Sequence, residues 1–372
     1  MRFDRILKPQ IEKRFHKNKA IILLGARQVG KTTLLNKILE GKDFIFLDGD
    51  DPTIRRILAN PNTEELKNVI GKHQYVYIDE AQRIESIGIT LKIITDQFKN
   101  LQLIVSGSSS FEIQNSINEP LTGRKWEFLL FPISYKEIEN TIGYLKTKQQ
   151  LQTMLRFGMY PDVLNNKGDE PMVLKNLVNS YLYKDVLALA GIRKPEILEK
   201  LLLALALQVG NEVSYNELAQ LMGIDKNTVS NYISLLEQSF IIFKLPSFSR
   251  NLRNEIKTNQ KIYFYDNGVR NTIIGNFDPI ELRPDKGALW ENFIIAERRK
   301  KLFYENSFAK TYFWRTTKQQ EIDYLEVEKE VVSAYEIKWN PKKNASPSKT
   351  FTATYGKKFG IINSENFRDF LV

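Results

Sequence analysis

The chain has 372 residues and no cysteine, so disulfides cannot hold it, and its length predicts two or three domains that each bury a core. No apolar run approaches the ~20 residues of a bilayer span, and MRFDRILKPQIEKRF lacks an apolar signal core. Membrane and secreted classes are therefore disfavoured, and a cytoplasmic protein is expected. The 54 Lys and Arg against 44 Asp and Glu leave a formal charge of +10, which favours a polyanionic partner, although ordinary soluble chains also carry such an excess.

In chain order, the first informative stretch is AIILL followed directly by GARQVGKTT. The apolar run predicts a short, buried, parallel strand. Gly25, Gly30, Lys31 and Thr32 have the spacing G-x-x-x-x-G-K-[ST]. In that pattern the glycines let the backbone through Gly25, Ala26, Arg27, Gln28, Val29, Gly30, Lys31, Thr32 and Thr33 turn its N–H groups around the phosphates of ATP. Lys31 is placed to reach the terminal phosphates. Thr32 is placed to hold Mg²⁺ and opens a helix whose N-terminal dipole favours the anion ahead of it.

QYVYIDEAQ predicts a second buried strand, with Asp79 and Glu80 at its C-terminal end, where open α/β sheets bind ligands. Asp79 is expected to orient Mg²⁺ and Glu80 to act as base for the attacking water. In LQLIVSGSSS a third strand ends in hydroxyls, and Ser106 or Ser108 is placed to sense the terminal phosphate. Residues 1–130 thus read as a parallel sheet with helices on both faces, and 131–194 as a helical lid or connector. A boundary is expected near Gly191–Pro195.

Residues 195–265 read as a helix-turn-helix with a wing. Ser214 caps YNELAQLM, Gly223 ends it and Asp225 caps KNTVSNYISLLEQ. Leu218, Leu221 and Met222 are expected to face Val229, Ile233 and Leu236. Two strands around a basic loop would make the wing. Lys226 and Asn227 on the second helix could touch DNA phosphates or bases, but that helix carries little positive charge. The wing supplies Lys244, Arg250, Arg253, Lys257 and Lys261, so phosphate affinity is expected mainly there. A protein-docking or oligomerisation role stays open beside DNA binding.

In residues 266–372, KGALWENFIIAERRKK predicts a helix carrying Glu291, TYFWRTTKQQEIDYLEVEK a hairpin with Asp323, and VVSAYEIKWN a strand with Glu336 and Lys338 on one face. Glu321 shares a face with Asp323. Glu291, Asp323 and Glu336 are placed to hold Mg²⁺, with Lys338 positioning or deprotonating water. This constellation resembles the core of the restriction-endonuclease-like fold, which implies possible nucleic-acid cleavage.

Over nearly the whole chain, GARQVGKTT, YIDEAQ, LIVSGSSS, LTGRKWEFLLFPISY and FGMYPDVL resemble prokaryotic AAA+-type P-loop ATPases that carry such a C-terminal domain. The resemblance implies an α/β fold with an ATPase core, a helical lid, a winged helix-turn-helix and an α/β nuclease-like domain. It also implies an arginine that completes the ATP site. Arg124 matches its position, facing its own nucleotide or a neighbour's. A nucleotide-dependent protein-interaction switch is the alternative function, and a homo-oligomer is compatible with either.

Overall fold

Ala20–Leu24 (β1) is buried at all five positions, because it lies inside a parallel sheet covered on both faces. The computed structural model describes residues 1, 3–108, 120–183, 195–249, 260–316 and 318–372. It divides into one unit running essentially to Pro132 and a second formed by Ile133–Glu237 and Ile241–Val372. Among the described residues no helix is long and apolar enough to cross a membrane.

The first unit is built on five parallel strands. In space they run β2 (Phe44–Asp48), β3 (Tyr75–Asp79), β4 (Gln102–Gly107), β1 and β5 (Lys125–Leu129). β3 is buried throughout like β1, so its unbroken run of aromatic and β-branched residues is explained by burial on both faces. Because β4 lies between β1 and β3, the chain segments leaving these three strands meet at one edge of the sheet. That edge is the C-terminal one, where ligands of such sheets bind. The helix Lys31–Leu39 follows the first of these turns and buries Leu34, Leu35, Ile38 and Leu39.

The second unit begins with short helices from Tyr135–Ile142 to Glu170–Leu177. Next come the helix Pro195–Leu207 and the pair Tyr215–Met222 and Lys226–Gln238. A three-stranded antiparallel sheet accompanies the pair, in the order β6 (Glu212–Val213), β8 (Gln260–Phe264), β7 (Ile242–Pro246). Ser214 caps the first helix of the pair by accepting from the Glu217 N–H, and Asp225 accepts from the Thr228 N–H at 3.0 Å. Leu218, Val229, Ile233 and Leu236 are buried as expected, but Leu221 is 69% exposed. The inward stripe of that two-turn helix passes through Leu218 and Ala219 and leaves Leu221 on its flank. The expected boundary over Gly191–Lys194 and the wing residues Arg250, Arg253 and Lys257 lie outside the described residues.

The helix Lys286–Tyr304 leads into a four-stranded mixed sheet with the order β12 (Phe359–Ile362), β11 (Val331–Ile337), β10 (Glu321–Glu328), β9 (Lys310–Arg315). β9, β10 and β11 are antiparallel neighbours, and β12 adds parallel to β11. The β9–β10 register shifts between Ile322 and Leu325, which makes an irregularity at Asp323. Such a bulge re-aims a side chain out of the regular alternation. Trp314, Ile322, Leu325 and Phe351 are among the residues packed under this sheet.

Candidate functional site

After Leu24 the chain turns through Gly25 directly beneath Leu130. A Cβ on Gly25 would lie 2.2 Å from the Leu130 carbonyl oxygen, so no other residue fits without moving backbone. Gly25→Ala is therefore expected to distort the loop, abolish nucleotide binding and lower the thermal unfolding midpoint. A variant that bound ATP as wild type does, measured by equilibrium dialysis, would contradict that. Gly30 has φ 92°, a left-handed conformation that glycine adopts freely, and it hands the chain into the helix Lys31–Leu39. Beneath the loop Ala26 and Val29 are buried, and Arg5 donates to the Val29 carbonyl at 2.8 Å and the Phe131 carbonyl at 2.6 Å. Sequence reasoning passed over Arg5, because an arginine near the start of a chain carries no local signal of a partner so distant in sequence.

Lys31 is buried, and its Nζ donates to the Gly25 and Ala26 carbonyls at 2.9 and 3.0 Å, across the mouth of the loop. Burial lowers its pKa, while the carboxylates of Glu80 and Asp79 act in the opposite direction. Thr32 Oγ1 donates to Asp79 Oδ2 at 2.8 Å, and Ser106 Oγ donates to Asp79 Oδ1. Ser106 is held in turn by Tyr77, whose hydroxyl lies 3.0 Å away. Glu80 follows in a left-handed conformation, φ 46°, and its Oε2 accepts from Ser108 Oγ at 3.1 Å and from Gln82 Nε2. Strands β1, β3 and β4 thus bring together Lys31, Thr32, Asp79, Glu80, Ser106 and Ser108. Gln82 and Tyr77 were missed, since their roles appear only through these contacts.

Thr32 hydroxyl and Asp79 carboxylate are hard oxygen donors side by side at the rim of a phosphate-binding loop. That donor set fits Mg²⁺. Arg124 is placed differently. β5 pairs with β1 so that Ala20 faces Lys125 and Leu24 faces Leu129. Arg124 therefore precedes β5 at the opposite edge of the sheet from Gly25, roughly 20 Å away at ~3.3 Å per strand residue. Its Nε sits 2.7 Å from Asp96. Completion of its own nucleotide site by Arg124 is excluded by this register.

In the second unit, Asp323, Glu336 and Lys338 converge. Lys338 Nζ is 3.1 Å from Asp323 Oδ2 and 2.6 Å from Glu336 Oε2, and the Ile337 N–H donates to Asp323 at 2.8 Å. Glu291 has other partners. Its Oε1 accepts from the Tyr263 hydroxyl at 2.6 Å and lies 3.4 Å from Lys261 Nζ. Lys261 also lies 2.5 Å from Glu321. Among the described residues no group of three or more acidic or histidine side chains is arranged to hold a metal. The expected set of Glu291, Asp323 and Glu336 is corrected accordingly: lysines, rather than a shared cation, neutralise these carboxylates. The residues as placed do not fit that metal.

Lys261 is also corrected as a wing cation for phosphate. Its side chain is only 1% exposed, because β8 packs it against the acidic cluster. Lys244 is paired as well, 2.9 Å from Glu237. Lys226 and Asn227 are exposed at the start of their helix.

Both Glu291 and Glu336 have carboxyl pKa values pushed up to about 7. Burial is the main cause for each, reinforced by Asp323 and opposed by Lys261 for Glu291 and by Lys338 for Glu336. Glu321 adds to the effect on Glu291, and the Tyr263 hydrogen bond opposes it. A carboxyl raised on folding binds more proton when folded than unfolded between its ordinary value near 4.5 and about 7. Stability should therefore fall as pH rises through that window. The thermal midpoint of the protein is expected to rise as pH is lowered from about 8 to about 6, and Glu291→Gln should remove part of the rise. A flat wild-type profile would contradict this.

Strand order, glycine loop and the acidic pair after β3 define a P-loop α/β fold. Residues 17–139 match the AAA domain family, while 148–279 and 286–369 match two domain families of unknown function, DUF8612 and DUF4143. An uncharacterised protein of Methanocaldococcus jannaschii is 24% identical over 347 residues, covering 86% of this chain and 75% of its own. Another, from Mycobacterium tuberculosis, is 25% identical over 324 residues, covering 86% of this chain and 70% of its own. Among solved structures, a Walker-type ATPase of Pyrococcus abyssi shares the fold with a TM-score of 0.52 at 17% identity, over 73% of this chain and 96% of its own.

Proposed function

We propose that this chain is a Mg²⁺-dependent ATPase. The observation that carries the reading is the meeting of Thr32 with Asp79, and of Glu80 with Ser108, beside the glycine loop. On binding, Lys31 exchanges the Gly25 and Ala26 carbonyls for phosphate oxygens. Thr32 and Asp79 would hold Mg²⁺, which supplies neutralisation of phosphate charge. Glu80 takes the proton from the attacking water, and Ser108 sets its carboxylate in place. Arg124, at the far edge of the sheet, serves only if a neighbouring copy's nucleotide lies against it. Phosphate release by the purified protein with Mg²⁺ tests the reading, and it fails if wild type and Lys31→Ala release phosphate at the same rate.

The same proposal gives the second unit a winged helix-turn-helix that binds DNA through Lys226, Asn227 and the wing residues Arg250, Arg253 and Lys257. Binding is electrostatic, so log affinity should fall with log salt by about 0.9 per phosphate contact. Cleavage is not part of the proposal, since Lys261 and Lys338 already occupy the carboxylates that a metal would need. A protein-interaction switch is the second reading. It is favoured by the pairing of Lys244 and Lys261, which removes two of the wing's cations from any phosphate. Absence of duplex DNA binding at low salt would decide for the switch.

A further inference from the structure

A cavity of about 700 Å³ opens between the start of the helix Lys286–Tyr304 and the turn after β11. Its lining includes Lys286, Gly287, Glu291, Lys338, Trp339 and Lys343, and its volume falls in the ~300–1,000 Å³ range of small-molecule sites. Three ammonium groups face one carboxylate. That carboxylate, Glu291, is already held by Lys261 and Tyr263. Lys338 is committed to Asp323 and Glu336, but Lys286 and Lys343 are exposed and form no ion pair among the described residues.

Two further features bear on the ligand. Asp285, at the N-cap of the 19-residue helix, does not cap it with its side chain. The carboxylate turns instead to Arg283, at 2.8 and 2.9 Å, and to Arg270, so the first N–H groups of the helix remain available to an anion. Trp339 is fixed by an edge contact with the Trp290 ring at 5.2 Å, which pre-orders a flat apolar surface beside the cations. Two lysines that no carboxylate neutralises in one cavity call for a phosphate, and an ordered aromatic in the same lining calls for a ring that stacks.

We propose that this cavity binds one nucleotide unit, its phosphate held by Lys286 and Lys343 and its base stacked on Trp339. The unit belongs either to a free nucleotide or to the end of a nucleic-acid strand. The site shares no residue with the glycine loop, and the proposal does not depend on ATP hydrolysis.

The test uses full-length Lys31→Ala protein in EDTA, so that the glycine loop and its metal make no contribution. Thymidine monophosphate, a short oligothymidylate and inorganic phosphate are titrated by equilibrium binding, with tryptophan fluorescence as second readout. One or both thymidylates should bind and quench, and Trp339→Phe should remove most of the quenching. Equal affinity for the two assigns a free nucleotide, and preference for the oligomer assigns a strand end. Lys286→Ala with Lys343→Ala should lower affinity and flatten the salt dependence of the oligomer by roughly 0.7, the slope of one single-strand phosphate contact. Gly287→Glu is the second variant. A Cβ there meets nothing within 4 Å, and an acid suits the first turn of a helix, so folding is preserved while the added charge repels phosphate. It should weaken binding at least ~10-fold, a difference of about 1.4 kcal/mol. No binding by either thymidylate, unchanged affinity in Gly287→Glu, or inorganic phosphate binding as tightly as the monophosphate would each overturn the proposal.

Discussion

Glu80→Gln is expected to keep ATP binding and to slow hydrolysis by about 100- to 10,000-fold, the contribution of a positioned general base. Glutamine has the size of glutamate and an oxygen that can still accept from Ser108, so the geometry after β3 should survive. It cannot accept a proton from water. Lys31→Ala should instead lose binding together with turnover, because that ammonium is the buried cation that the loop carries toward the phosphates. Ser108→Ala should fall between, since Glu80 keeps Gln82 as a donor. Equilibrium binding and phosphate release measured on the same preparations separate these effects. Turnover in Glu80→Gln within a factor of a few of wild type would remove Glu80 from the base role.

Lys261→Met is expected to destabilise the protein by about 3–5 kcal/mol, the penalty for stripping the partner from a buried charge. Methionine fills nearly the same volume, so the loss isolates charge from packing. Glu291 would keep the Tyr263 hydrogen bond but lose its cation, and Glu321 would keep only the more distant Arg315 at 3.7 Å. Adding Glu291→Gln to Lys261→Met should recover part of the loss, because a neutral amide needs no counter-charge. The loss should also shrink as pH is lowered toward about 7, because without the Lys261 ammonium, which holds the Glu291 pKa down, Glu291 takes up its proton at a higher pH than in wild type. Urea unfolding of the four proteins of this cycle provides the measurement. A loss below about 1 kcal/mol would mean that water, rather than Lys261, solvates the cluster.

How far the sequence reaches depends on how local the cause is. The glycine loop is contiguous, its strand and helix flank it directly, and its conformation follows from glycines that permit what other residues do not. AIILL and YVYID were legible as strands because burial on both faces selects apolar residues without alternation. The capping of Tyr215–Met222 by Ser214 was legible for the same reason, as cap and capped N–H lie three residues apart. The meeting of Thr32 with Asp79 could be anticipated because each sits at the end of a strand and open sheets gather those ends.

What the tertiary structure alone decided concerns partners distant in sequence. Arg124 follows a turn in the sequence as a finger would, but strand register sets it at the wrong edge of the sheet for its own nucleotide. Lys261 counts as a wing cation in any tally of charge. Only the packing of β8 beside the helix Lys286–Tyr304 turns it into the buried counter-ion of Glu291 and Glu321. The same packing gives Glu291 to Lys261 and Tyr263 while Asp323 and Glu336 share Lys338, although order and spacing made the three look like one metal set. Residue type and periodicity specify which face a side chain occupies. Which charge it meets there is decided by how separate elements pack, because electrostatic partners are chosen by distance in space and by burial.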